Sequence, residues 1–209
     1  MPPGKRLSVK KGIMAIDPAV AFKRLLLPSI QSNPSSWLDT GRNVSDTKLR
    51  PRELLGLIIM CAVVSHRTGL TWQIGTDHDD GDGTIVLVKE GHKGSGIPLE
   101  QVYVNSHNGS GKSLADAALA EVRNKEAKGI QYTADRSLIV LINETGPMAI
   151  EELVAGVEGT GFEDVAVIGL LSPNKFEYYC GVVNRKAAVD GYTVIIDKDS
   201  GASVVQPSL

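Results

Sequence analysis

The apolar pattern between residues 46 and 143 changes period in a fixed order, and that order limits the folds open to the chain. SDTKLRPRELLGLIIMCAVVSHRTG has a helical pattern: Pro51 can occupy a first turn, Glu53 sits near the positive N-terminal end, and Gly69 lies where the helix would stop. Three short β-rich runs follow between turn residues: LTWQIGT (70 to 76), GTIVLVKEG (83 to 91) and IPLEQVYVNS (97 to 106). SLADAALAEVRNKEAKG then reads as a second long helix and SLIVLIN (137 to 143) as a fully apolar strand. Further on, MAIEELVAGVEG suggests a third helix, DVAVIGLLS a buried strand, and FEYYCGVVN with GYTVIIDKD a closing pair. The core order α-β-β-β-α-β predicts an α/β fold, a mixed central sheet flanked by helices.

At 209 residues and 42% apolar content the chain can build one sizeable core. We expect an α/β domain over residues 46–209. Ahead of it, residues 1–45 read as a basic N-terminal extension holding one helix, PAVAFKRLLLPSI, and a Ser/Pro/Asn/Gly loop. The apolar run LLGLIIMCAVV is too short to span a bilayer and the N-terminus shows no secretory pattern, so no membrane partner and a cytoplasmic location are expected. Cys61 and Cys180, far apart and each in an apolar setting, read as buried hydrophobes. Charge is uneven: residues 1 to 52 hold ten Lys or Arg against three Asp, an excess of +7, which leaves −9 for the remainder of a chain of net charge −2. Such asymmetry fits a nucleic-acid partner and equally a solvated basic surface.

Two motifs resemble ligand loops and fail on their spacing. In DHDDGDGTIVLVKE, placing Gly83 at the sharp turn of an EF-hand loop puts His78 at the first ligand position and Lys89 at the last, and a strand follows where a helix is required. In NSHNGSGKS the position that a P-loop reserves for its first glycine is Ser106, and Ser113 explains itself as the cap of the next helix. His66, His78, His92 and His107 show no metal-ligand spacing, and no GxSxG elbow is present.

The remaining constellation joins the acids to Glu100. If the second and third strands form a hairpin, Asp82 at the start of one and Glu100 in the next come together at one end of the sheet. Two such carboxylates make a hard, oxygen-rich site for Mg²⁺ or Mn²⁺, with Asp80 as an alternative ligand. Asp77 and Asp79 crowd the same loop and fit turn roles beside Gly81.

With DGTI at 82 to 85, LEQVYV at 99 to 104, and a helix running on into KGIQYTADRSLIVL, the chain resembles the restriction-endonuclease-like PD-(D/E)xK nuclease superfamily over roughly residues 46 to 145. The resemblance implies a magnesium-dependent DNA endonuclease, with Asp82 and Glu100 binding metal. For cutting both strands it implies a homodimer, whose interface nothing in the sequence specifies. The family's lysine two residues after the glutamate is Val102 here, and only Val102 shares the face of Glu100. Leu114, Ala118, Glu121, Lys125 and Lys128 recur at spacings of three or four on the next helix, placing Lys125 on its inward side. Some members of the superfamily supply the lysine from this helix. The role passes to Lys125, with Lys128 as alternate; the competing reading makes Lys125 the structural ion-pair partner of Glu121 and gives it no catalytic role. Glu53 is a further candidate carboxylate, with a helix-capping role as the competing reading. The alternative function is a non-catalytic nucleic-acid-binding or protein-interaction module of the same fold, which the loss of the lysine at 102 favours.

Overall fold

In a computed structural model the protein is a mixed α/β chain. The structure describes residues 7–8, 15–44, 47–75, 82–88, 95–105, 113–144, 150–184 and 189–208. They divide into two compact units, one made of residues 1–99 and 194–205 and the other of 100–193 and 206–209. No helix among the described residues is long and apolar enough to cross a membrane.

The first unit is organised by one helix and an antiparallel meander. Before them, α1 (Pro18–Ala21) is capped by Asp17, whose side chain accepts from the Ala19 and Val20 amides, and runs through a π-helical turn, Phe22–Leu26, into α2 (Leu27–Ser32). Pro28 accounts for the change of pitch. It has no N–H and its ring crowds the preceding turn, and here the Leu27 amide reaches back to the Phe22 carbonyl. Phe22, Leu26, Leu38 and Val44 are all buried. The long helix α3 (Pro51–Thr68) opens with Pro51 in its first turn and closes at Gly69, which takes φ 65°. Leu54, Leu55, Leu57 to Cys61 and Val63 are buried, so nearly the whole circumference is core, as expected of a helix apolar on all sides.

The strands β1 (Leu7–Ser8), β2 (Ala15–Ile16), β3 (Trp72–Gly75), β4 (Gly83–Leu87) and β5 (Ser95–Val104) pair antiparallel in this unit: β2 with β3, β3 with β4, β4 with β5, and β1 with β5. Strands two and three of the sequence reading are therefore a hairpin, in the register Gly83↔Leu99 to Val86↔Gly96. A second turn, between Asp197 and Ala202, sits against α1. Gly201 holds φ 74° there, and a Cβ on it would lie 2.5 Å from the Ala19 carbonyl oxygen.

The second unit takes up β5 at Glu100. It contains α4 (Leu114–Glu126), α5 (Ile130–Thr133), β6 (Ser137–Ile142), α6 (Ile150–Val157), β7 (Asp164–Ser172) and β8 (Glu177–Asn184), with the first part of β9 (Val189–Ile196) and the end of β10 (Ser203–Pro207). Every residue of β6 is buried, the signature of a central strand covered on both faces. β6 and β7 run parallel, joined by a crossover that contains α6, while β7 and β8 are antiparallel, so the sheet is mixed. The core joins Val102 and Val104 of β5 to Ala115, Ala118 and Val122 of α4, to Leu138, Val140 and Ile142 of β6, and to Phe162. Ser113 caps α4, its hydroxyl accepting from the Asp116 amide at 3.1 Å, as the sequence predicts.

Candidate functional site

In the second unit, strand alternation puts Glu100 on the same face as Val102 and Val104, which pack against α4. On α4 the stripe Ala115, Ala118, Val122 continues at the next helical step to Lys125. A carboxylate at the end of an apolar strand face thus meets an ammonium at the end of an apolar helix stripe. Lys125 Nζ donates to Glu100 Oε2 at 2.8 Å. Among the described residues this pairing runs across the fold to Glu100 and not along the helix to Glu121.

Two residues that the sequence reading did not single out complete the arrangement. Arg136 Nη1, from the turn before β6, donates to Glu100 Oε1 at 2.5 Å, and the Tyr132 hydroxyl of α5 donates to Oε2. The same hydroxyl accepts from Lys125 Nζ and from Lys128 Nζ, each at 3.3 Å. The Tyr132 ring carries three cations around it, with Lys128 Nζ 4.5 Å, Arg136 Cζ 5.2 Å and Lys125 Nζ 5.9 Å from the centroid. The Glu100 side chain is 2% exposed, and the Lys125 and Arg136 side chains are 16% and 18% exposed. A carboxylate so deeply buried costs several kcal/mol in desolvation, which charge-assisted hydrogen bonds to both oxygens offset.

In the first unit the candidates are Glu53 and Asp82. Glu53 Oε2 accepts from the Arg50 amide at 2.7 Å, and Oε1 lies 3.9 Å from Arg50 Nε, so the side chain caps the start of α3. Burial pushes the Glu53 carboxyl above the ordinary carboxylate range and the Asp82 charge pushes the same way, against the opposing effect of the Arg50 amide. Asp82 precedes β4 and its amide donates to the Leu99 carbonyl at 3.1 Å.

The raised Glu53 carboxyl has a consequence for stability. Its proton is held more tightly in the folded than in the unfolded chain, so its contribution is present below the unfolded value and is lost as pH rises through the raised one. Glu53→Gln removes that dependence and keeps an acceptor for the Arg50 amide. Urea unfolding at a series of pH values from acid to neutral should show the variant gaining on the native chain as pH rises. A difference that stays flat or shrinks contradicts this account.

For a hard divalent cation the donors at Asp82 and Glu53 are chemically suited: they are carboxylates whose mutual repulsion a cation relieves. Glu100 is a different case, since Oε2 already accepts from Lys125 and Tyr132 and Oε1 from Arg136, so a metal would share the carboxylate with two cations. Asp82 belongs to the first unit and Glu100 to the second. Among the described residues no group of three or more His, Cys, Asp or Glu side chains is arranged to hold a metal ion. Asp80 lies outside the described residues, as do Asp77, Asp79, His78, His92, His107 and the Ser106–Lys112 stretch of the loop that ends in GKS. Cys61 and Cys180 are both buried, and neither is joined in a disulfide.

Comparison with models of known protein families gives no match, and comparison with curated proteins gives none.

Proposed function

We propose that the protein is a metal-dependent phosphodiesterase acting on nucleic acid, most simply a DNA endonuclease with the restriction-endonuclease-like form of the α/β fold. The observation that carries this reading is the 2.8 Å pair between Lys125 Nζ and Glu100 Oε2. The strand cannot supply the lysine because Val102 stands in its place and is spent on the core. A cation delivered from α4 to the same carboxylate is the chemistry that the missing residue would have provided.

In this proposal Glu100 orients Lys125 through Oε2 and Arg136 through Oε1, and Tyr132 fixes the choice of oxygen. The ammonium and guanidinium then lower the energy of the charge that builds on a phosphate as it is attacked. Asp82, whose charge reaches Glu53, is the metal ligand retained from the sequence reading, and Mg²⁺ or Mn²⁺ would supply charge neutralisation and a more acidic bound water. Glu100 would serve as a ligand through Oε1, which accepts one hydrogen bond, from Arg136, where Oε2 accepts two.

The test is cleavage of plasmid and linear DNA, and of RNA, with Mg²⁺ or Mn²⁺ and with EDTA. The native chain should cut only with metal, and Asp82→Asn and Lys125→Met should each reduce cutting to background while keeping the native circular dichroism spectrum. A native chain that cuts none of these substrates sinks the enzyme reading. The second reading, a non-catalytic nucleic-acid-binding or protein-interaction module, draws on the engagement of Glu100: both oxygens accept hydrogen bonds, as in a purely structural ion cluster.

A further inference from the structure

Three cations surround the Tyr132 ring. Glu100 is shared by Lys125 and Arg136, whereas Lys128 has no carboxylate partner among the described residues. Lys128 is exposed, two residues beyond the end of α4, and is held at a defined place by Tyr132: its Nζ donates to the hydroxyl at 3.3 Å and lies 4.5 Å from the ring centroid. An exposed lysine ordinarily sweeps through many rotamers. Here a half-buried tyrosine, itself fixed through Glu100, offers the ammonium both a lone pair and a ring face. A cation with no carboxylate partner among the described residues, located by an aromatic scaffold next to two further cations, is arranged to receive an anion.

We infer that Lys128, located by Tyr132, is a docking point for one phosphate of a nucleic-acid backbone. This rests on the proposed function and assigns to Lys128 a binding role in place of the alternate catalytic role expected from the sequence. The exposed Ile130, between Lys128 and Tyr132 in the chain and 67% accessible, gives the same surface an apolar contact suited to the sugar. The contact is sequence-independent, because a lysine reads a phosphate as a point charge. It also needs no metal, so it separates from cleavage.

The experiment is fluorescence anisotropy of a labelled DNA duplex with the full chain in EDTA, repeated across a salt series for the native protein, Lys128→Ala, Lys128→Arg and Tyr132→Phe. Each phosphate neutralised contributes about 0.9 to the slope of log affinity against log salt. Lys128→Ala should lower that slope by about 1 and weaken duplexes of unrelated sequence equally. Lys128→Arg should retain the slope. Tyr132→Phe, which keeps the ring and loses the hydroxyl, should weaken binding less than Lys128→Ala does. An unchanged slope in Lys128→Ala, or no binding by the native chain at the lowest salt, overturns the assignment. If the slope falls as stated but the native chain cuts nothing with Mg²⁺ or Mn²⁺, docking stands and the phosphodiesterase reading fails. If the native chain cuts DNA and Lys128→Ala keeps the native slope, docking alone fails.

Discussion

Lys125→Met combined with Arg136→Met should destabilise the protein by about 3–5 kcal/mol, the cost of leaving a buried charge without its partners. The double variant strips Glu100 of both cations and leaves its carboxylate, 2% exposed, with only the Tyr132 hydroxyl among the described residues. Either single variant should cost markedly less, because the remaining cation still neutralises the carboxylate, so the pair is more than additive. Adding Glu100→Gln to the double variant should recover most of the loss by removing the charge that has been stranded. The measurement is urea unfolding followed by circular dichroism and by fluorescence, both probes being needed because a chain of two units need not unfold in one step. A triple variant no more stable than the double one would mean that Glu100 is not held against these cations in solution.

Phe162→Ala should cost about 3–5 kcal/mol, by loss of transfer free energy and by the cavity left behind. Phe162 is 1% exposed and packs in the second unit with Leu138, Val140, Val157 and Val165. The site is poorly placed to collapse, since β6 and β7 are locked by parallel pairing from Leu138↔Val165 to Ile142↔Gly169. On its other side Gly161 is tied to α4 through its amide, which donates to Glu126 Oε1 at 3.1 Å. Phe162→Leu, which keeps most of the volume, should cost much less. Equal losses for the two variants would show that the ring is not packed as described. The same denaturation experiment reads both.

The parts of this fold that were legible in the sequence are those where periodicity and punctuation agree. α3 runs from its Pro51 to its Gly69 stop, β6 shows as an uninterrupted apolar run, and the strands β4 and β5, supposed in the sequence to form a hairpin, pair antiparallel. What was not legible depends on partners far along the chain. β1 and β2 are two residues long and exist only through pairing with β5 and β3, and β10 was not anticipated beyond the closing strands. The helix PAVAFKRLLLPSI was expected, but not its π-helical turn, although Pro28 within it was a visible cause.

The site divides in the same way. Lys125 on an inward helical stripe and Glu100 on a strand face each required a partner, and the structure pairs them. Arg136 and Tyr132 went unnoticed because they lie 36 and 32 residues from Glu100, in a stretch read only as the approach to a strand. One clue was available: a single lysine does not satisfy both oxygens of a carboxylate buried at the end of an apolar strand, so further donors were to be sought nearby. The Gly-Ile-Gln-Tyr-Thr-Ala-Asp-Arg stretch was the nearest segment able to supply them.

The two cysteines divide between the units, Cys61 at 1% exposure in the first and Cys180 at 0% in the second. Burial also pushes the Cys61 thiol far up, so in the closed state it offers neither access nor thiolate to a reagent. Each unit therefore carries its own clock: modification of either sulfur must wait for the local opening that exposes it, and the two labelling rates, read by mass spectrometry on one sample, time the breathing of each half of the molecule separately.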